Sequence, residues 1–423
     1  MVGGSAAITL LGAVQGIIIA RILGPEGTGQ YQLAITLSIT VTTFFIFGLG
    51  QANIFFLNYH KADLKRIVAN SILFSVLTGL LAALTLYLIF SFGQKYMGQF
   101  SHGVELIFSL SLLFVLLQAV MGQILIAEMR VLEFNISQLA VKSVAILLIG
   151  ALSCIGILTA GRALIAVALS QVLAAFLMLL FLRNHVSFSF TPDFALLWKT
   201  IRYGLQLYTA NLLLILDQNI SMIFIGLLMP GEFAALGYYS RAVAICSLIR
   251  LVPLSLQNIL YSYWAGINGK QKIRQMEKAL RIYLLFGIMI VAGIYLAGQY
   301  LIVILYGEAF RPAYPVLLIL GIQQVMWMIS KVFQSFFSGS GMPMLTTCNL
   351  IITTGLSAVG MVLLIPPMGI VGAAWCITVA HLVSVIINFI LARRFFGLNI
   401  VNCFSINLND ISSLLKELKW KAT

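Results

Sequence analysis

The sequence predicts an all-α integral membrane protein of about twelve transmembrane helices, arranged as two six-helix bundles related by an internal repeat. Three observations carry that reading. Of 423 residues 61% are hydrophobic and 9% charged, with a mean hydropathy of +1.05, whereas soluble domains run near ~45–50% and about 25%. Apolar runs recur at the roughly twenty-residue length that crosses about 30 Å of hydrocarbon, and none alternates as barrel strands do. Short motifs also recur at nearly constant offset in the two halves. This composition excludes a water-soluble enzyme, a nucleic-acid binder and a disordered scaffold. The formal net charge of +13, from 25 Lys+Arg against 12 Asp+Glu, then points to anionic lipid headgroups and an anionic substrate.

The chain opens MVGGSAAITLLGAVQGIIIA. It lacks the basic lead of a signal peptide, and Arg21 with a Gly-Pro turn stands where a cleavage site belongs. The stretch therefore reads as a first span, 2–20, clipped at its start because no polar lead-in precedes it. Breaks at charged and Gly/Pro-rich positions give further spans at 33–57, 67–92, 104–127, 136–160 and 163–182. A second set follows at 205–228, 236–261, 282–305, 316–337, 346–365 and 370–392. The halves are an N-terminal bundle, 1–183, and a C-terminal bundle, 205–393. Between them 184–204 is a cytoplasmic linker, and 394–423 is a basic cytoplasmic tail.

In the linker, Thr191-Pro192-Asp193 has a helix-starting pattern with a capping residue and then proline. Phe194, Leu197, Trp198 and Ile201 share one face of the amphipathic helix that follows, as an interfacial anchor does. Leu408, Ile411, Leu415 and Leu418 form a similar stripe in the tail. Lys and Arg crowd the loops after spans two, four, six and eight and the tail, whereas the opposite loops and their edges hold only Arg21, Lys95, Arg162, Arg241 and Arg311. Both termini are therefore expected in the cytoplasm.

The repeat rests on two pairs of motifs. Gly29-x-Tyr31-x-x-Ala34 recurs as Gly237-x-Tyr239-x-x-Ala242 at an offset of 208, and Gly161-x-Ala163 as Gly372-x-Ala374 at 211. The order is the same in each half and each half has an even number of spans, so the repeat is parallel. Gly12-x-x-x-Gly16 has the spacing of a close helix contact.

Charges inside spans mark functional sites by default. At about 1.5 Å per residue, Asp217 and Arg250 fall near the midplane on consecutive antiparallel spans. Lys142 and Lys331 fall about 10 Å from the inner ends of theirs by the same rise, and Arg21 and Arg241 lie near the outer face. The series Lys142, Lys331, Arg250, Arg21, Arg241 suits a large anionic group, a phosphate above all, crossing a water-filled cavity. The bland readings are snorkelling for the two lysines, a structural ion pair for Asp217 and Arg250, and lipid-head anchoring for Arg21 and Arg241. Asp217 is the candidate for ion coupling, by titration or by coordination. Gln15, Gln323, Gln324 and Trp327 are candidates for contact with sugars, with helix packing as the alternative. His381 reads as packing rather than as a proton relay.

The five cysteines stand singly, without metal or disulfide spacing, and no catalytic metal, nucleophile or phosphate-loop motif is present. The sequence thus predicts a protein that is not an enzyme, needs no cofactor or metal, and moves something.

Three stretches carry a family resemblance. Ala20-Arg21-Ile22-Leu23-Gly24-Pro25-Glu26-Gly27, continuing to Gly29 and Tyr31, resembles the A-R-x-L-G-P-x-G-x-G-x-Y signature of Wzx-type polysaccharide flippases. Leu305-Tyr306-Gly307-Glu308-Ala309-Phe310 with Pro312-Ala313-Tyr314-Pro315 is similar to their loop before span ten. Ser338-Gly339-Ser340-Gly341-Met342-Pro343 is similar to their lead into span eleven, and Gly369-Ile370-x-Gly372-Ala373-Ala374 adds a fourth, weaker likeness. The superfamily also holds MATE drug exporters and MurJ-like lipid II flippases. The resemblance implies a two-lobed transporter in the cytoplasmic (inner) membrane of a prokaryote. Its cargo would be a polyprenyl-pyrophosphate-linked oligosaccharide, flipped from the inner to the outer leaflet for polysaccharide biosynthesis by alternating access through a cationic cavity. The implied partners are that cargo, membrane lipids and glycosyltransferases of the same pathway, with no nucleic acid and a monomeric transport unit. Only Arg21 carries over within the motif. The competing readings are a MATE-like ion-coupled exporter, which would favour several buried carboxylates, a membrane-embedded glycosyltransferase or ligase, and a scaffold for glycosyltransferases.

Overall fold

The structure, a computed structural model, describes residues 2–98, 100–183, 191–250, 253, 264 and 270–404. Every regular element among them is helical. In chain order these are α1 (Val2–Phe45), α2 (Leu49–Asn58), α3 (Leu64–Phe92), α4 (Gln94–Met97), α5 (His102–Ala127), α6 (Val131–Cys154), α7 (Ala160–Arg183), α8 (Phe194–Leu228) and α9 (Phe233–Ile249). After them come α10 (Lys270–Tyr306), a 3-10 turn (Glu308–Ala313), α11 (Tyr314–Gly339), α12 (Pro343–Phe396) and α13 (Ile400–Phe404).

Nine of the described helices are long and apolar enough to cross a membrane, and α9 is a shorter apolar one. Two of the nine are hairpins. Helix α1 breaks at Gly24 (φ 64°) and α12 at Gly369 (φ 58°), a backbone region that glycine enters without a Cβ penalty. The amide of Gln15 donates to the hydroxyl of Tyr31 at 3.0 Å, and that of Asn349 to the Asn388 side-chain carbonyl at 2.8 Å. Along straight helices those partners would lie about 24 Å and 58 Å apart, so each helix folds back at its glycine. Pro25 opens the second arm of α1 where its missing N–H costs nothing, and Pro366-Pro367 precede the turn in α12. With both hairpins and α9 counted, the described residues supply the twelve crossings that the sequence predicts.

The apolar surface of these helices faces outward. On α3, Leu77, Leu81, Leu84 and Leu88 share one exposed face, as Ile352, Leu356, Val359 and Leu363 do on α12. Patches of that extent are untenable in water and natural in lipid, and the chain is a multi-pass membrane protein.

Three sequence expectations shift in detail. The run 33–57 is broken between α1 and α2, where Phe47 (φ 45°) and Gly48 (φ 66°) turn the chain. A Cβ on Gly48 would meet the Gly204 carbonyl, so α2 and α8 approach backbone to backbone there. The linker helix does not stop before span seven: α8 runs from Phe194 to Leu228 without a break, and its cap is Asp193, whose carboxylate accepts from Leu196 N at 3.0 Å. Of the predicted linker face, Leu197 and Ile201 pack on the core of α2, α3 and α5 while Phe194 and Trp198 stay exposed. Gly12 has open space around it, so it makes no close helix contact. The tail stripe from Leu408 and most of 250–269 lie outside the described residues.

The chain divides into two compact units, Met1–Ser240 and Arg241–Thr423. The sequence reading places its bundle boundary earlier, at 184–204; α8 and the start of α9 pack within the first unit. Part of the reason is a latch. Asn70 donates to the Asp193 carbonyl and accepts from Asp193 N, both at 2.9 Å, while Arg66 donates to the Asp193 carboxylate at 3.0 Å. The rest is the repeat itself. A Cβ at Gly29 would run into the carbonyl of Phe233, and one at Gly237 into that of Pro25. Phe233 stands to Pro25 at the same 208-residue offset as Gly237 to Gly29. The second arm of α1 therefore crosses α9 through reciprocal contacts of repeat-equivalent residues.

In the second unit, α10, α11 and α12 enclose a core of aromatics, with Phe333, Phe336 and Phe337 fully buried and Trp264 packed edge-on to Phe336.

Candidate functional site

Two polar sites emerge, one in each unit. In the second unit, residues of α11 at helical spacing (Gln324, Trp327, Lys331 and Gln334) present one polar and aromatic face. Arg250, just past the end of α9, donates from Nε to the Gln324 side-chain carbonyl at 2.7 Å, and the Gln324 amide donates in turn to Gln323 at 2.5 Å. The Arg250 guanidinium lies 4.8 Å from the centre of the Trp327 ring and the Lys331 ammonium 5.2 Å from it. Lys331 also donates to the Gln334 side-chain carbonyl at 2.8 Å. Five of the residues singled out from the sequence, Arg250, Gln323, Gln324, Trp327 and Lys331, are thus one cluster.

The chemistry of that cluster favours anions. Both cationic centres share one ring, so they lie within about 10 Å of each other, where two unit charges repel by roughly 1.7 kcal/mol at an effective dielectric of 20. An anion in contact with both would offset that repulsion. The arginine fork suits bidentate phosphate contact. The ring face holds each cation by about 0.5–2 kcal/mol, and the glutamines offer amide groups that suit sugar hydroxyls.

In the first unit a cavity of about 280 Å³ opens among both arms of α1 and helices α5, α6 and α7. Lys142 lines it from α6, Gln15 and Tyr31 from the α1 hairpin, and Gln171 from α7. Because α6 starts at Val131, five residues before the predicted span, Lys142 sits about 16 Å along a 24-residue helix and close to its middle. That depth removes the easy route by which a lysine snorkels to the surface. Among the described residues no group accepts a hydrogen bond from the Lys142 ammonium, none donates to the Gln171 side-chain carbonyl, and the Thr42 hydroxyl has no partner.

The remaining candidates fall elsewhere. Arg21 is exposed beside the Gly24 turn. Arg241 is buried, with its guanidinium 5.7 Å from the Tyr306 ring centre. Asp217 is buried on α8 in the first unit, while Arg250 belongs to the second. Gln15, grouped in the sequence with Gln323, Gln324 and Trp327 as a sugar contact, lines the first-unit cavity instead. His381 is buried with Nδ1 2.8 Å from the carbonyl of Ile377, one turn back on its own helix.

Sequence reasoning missed Thr42, Tyr31, Phe108 and Gln171 as cavity walls. The available signal was the dense run of hydroxyls Thr36, Ser38, Thr40, Thr42 and Thr43 inside an apolar span. It also missed Glu105, which is almost wholly buried at the start of α5 with an oxygen 3.2 Å from His102 Nδ1. No group of three or more His, Cys, Asp or Glu among the described residues is placed to hold a metal ion.

A family described as "Polysaccharide biosynthesis protein" matches residues 18–315, a stretch that takes in the first unit's cavity and Arg250 and ends in the first turn of α11. No curated protein sequence matches the chain significantly. Among solved structures, the chain is similar to the lipid II flippase MurJ in an inward closed conformation, with a TM-score of 0.77, 16% identity and coverage of 98% of this chain and 92% of that one. It is similar to an inward-facing multidrug resistance MATE transporter of the MOP superfamily, with a TM-score of 0.75, 16% identity and coverage of 92% and 94%. A third likeness is to a MOP superfamily transporter from Pyrococcus furiosus, described as having a binding pocket of reverse polarity, with a TM-score of 0.65, 16% identity and coverage of 94% of each chain. At such identities the likeness establishes the fold, two repeated helical bundles.

Proposed function

The chain belongs to the polysaccharide biosynthesis protein family, and from that premise we propose that it flips a polyprenyl-pyrophosphate-linked oligosaccharide across the cytoplasmic membrane by alternating access. The observation that carries the reading is the second-unit cluster, in which Arg250 and Lys331 flank Trp327 amid three glutamines. Two cations within reach of one pyrophosphate, beside an aromatic face and amides suited to sugars, match the two chemistries such a cargo combines. A cationic drug would be repelled there, which disfavours the MATE-like exporter reading. The family and the MurJ-like fold support movement of a lipid-linked substrate.

In this reading the pyrophosphate exchanges the glutamine contacts of Arg250 and Lys331 for its own oxygens while the lipid chain stays in the bilayer. Arg21 and Arg241 serve the outer part of the route, and Asp217 is the carboxylate through which an ion gradient would act. Both termini face the cytoplasm, where the basic loops lie, and pathway glycosyltransferases supply the cargo.

The test is reconstitution in liposomes with a fluorescent polyprenyl-pyrophosphate oligosaccharide, following its protection from an impermeant quencher. Protein-dependent exchange between leaflets is expected, slowed at least tenfold in Arg250→Ala, since a lost charged hydrogen bond is worth about 1.5–3 kcal/mol. No exchange with or without an ion gradient would return the exporter and enzyme readings, and normal exchange in Arg250→Ala would take that residue out of the route.

A further inference from the structure

We propose that the first-unit cavity is a sugar site, and that the sugar it takes is acidic: one hexuronate-like unit of the glycan. The proposal rests on the flippase reading for its biological source, but the site is argued from its own walls. The described walls all belong to the first compact unit.

Size sets the first limit. A volume of about 280 Å³ has room for roughly nine waters at ~30 Å³ each, enough for one monosaccharide unit. Charge sets the second. An ammonium halfway along a spanning helix costs about 2.5–3.5 kcal/mol, and among the described residues no hydrogen-bond partner offsets it at Lys142. A cation is therefore refused, and a neutral sugar would leave the charge uncompensated.

The hydrogen-bond inventory narrows the class further. The wall presents a donor in Lys142, an acceptor in the Gln171 side-chain carbonyl, and a hydroxyl, Thr42, which is more than nine-tenths buried and is without a partner. Buried polar groups left this way call for a ligand or water. A bare anion answers Lys142 but brings no proton to the Gln171 oxygen. A carboxylate that also carries hydroxyls answers both, because the carboxylate accepts from Lys142 and a hydroxyl donates to Gln171. The other wall residues, Tyr31 and Phe108, supply ring surface against which the C–H face of a sugar can pack. A sugar acid meets all four demands, whereas inorganic phosphate leaves the rings and most of the volume unused.

The binding test uses the full-length protein in detergent, with D-glucuronate, D-glucose and inorganic phosphate as probes read by calorimetry. Saturable glucuronate binding is expected, with glucose and phosphate each at least tenfold weaker. Lys142→Met should weaken glucuronate at least tenfold, Lys142→Arg should keep most of it, and Gln171→Met should lower it several-fold. Should Lys142→Met fail to fold, the Gln171→Met result decides. Equal binding of glucose, phosphate tighter than glucuronate, or no binding would each overturn the proposal. Liposomes then compare precursors that differ only in one uronate against its neutral sugar. Glucuronate binding without flipping of either precursor sinks the flippase reading and leaves the site standing. Equal flipping of both with no glucuronate binding does the reverse.

Discussion

In the second unit, Arg250 and Lys331 lean on one indole and draw their hydrogen bonds from glutamines. In the first, Lys142 faces an amide oxygen and a hydroxyl that no described group satisfies. The difference is one of partner exchange. A cation held by neutral amides and a ring gives them up at low cost when a phosphate arrives, and takes them back when it leaves. A cation with no internal partner instead gains most from whichever ligand brings the missing contacts. The first arrangement suits a group that every cargo carries and must release; the second suits recognition of one chemical feature.

The contrast breaks most sharply at Trp327. Replacing it with Ala removes the surface common to both cations and should slow flipping of every precursor about tenfold or more, at about 0.5–2 kcal/mol per cation contact, while Trp327→Phe keeps much of the rate. If Trp327→Ala spared neutral precursors, the division of labour between the units would be wrong. Gly29→Ala comes next. Its Cβ meets the Phe233 backbone, on the arm that also carries Tyr31 and Thr42, and overpacking of this kind costs about 1–3 kcal/mol, read as a lower melting temperature in detergent. Gly12→Ala, with open space around it, should move the other way by about 0.5–1 kcal/mol through backbone entropy; matching signs would mean that the crossing is not tight. A smaller effect is expected from Gln334→Ala, which takes one hydrogen bond from Lys331 and should slow flipping a few-fold, at about 1 kcal/mol.

The smallest prediction concerns pH. Hydrogen bonds from Leu196 N–H and from Arg66 hold the Asp193 carboxyl below the ordinary carboxylate range. A group depressed on folding stabilises above its unfolded pKa, about 3.9, and loses that contribution as pH falls through the folded value. The melting temperature of wild type should therefore exceed that of Asp193→Asn at neutral pH, and the two should converge below about pH 4. A constant gap across that range would place the latch in the backbone contacts of Asn70 alone.

Most of the fold was legible because hydrocarbon thickness imposes one length on every span and the cost of buried charge marks the breaks. The spans predicted at 33–57 and 205–228 shifted where side-chain hydropathy is silent: at the left-handed pair Phe47-Gly48 with its backbone approach to Gly204, and in the unbroken run of α8. Of the site, the cluster around Trp327 was legible from charge inside α11 and from helical spacing. The cavity was not, because Thr42 and Gln171 are ordinary residues in apolar helices until five crossings bring them around Lys142.

The reciprocal glycine crossing bears on how the chain is assembled. A ribosome completes the first repeat many residues before the first compact unit can close, because the surface around Gly29 and Pro25 awaits Phe233 and Gly237. Until then the nascent helices reach the membrane with that face uncovered, and a fragment cut in the linker would carry it permanently. The two repeats are therefore coupled at this crossing. They are stitched together at Gly29 and Gly237, where each offers the other bare backbone.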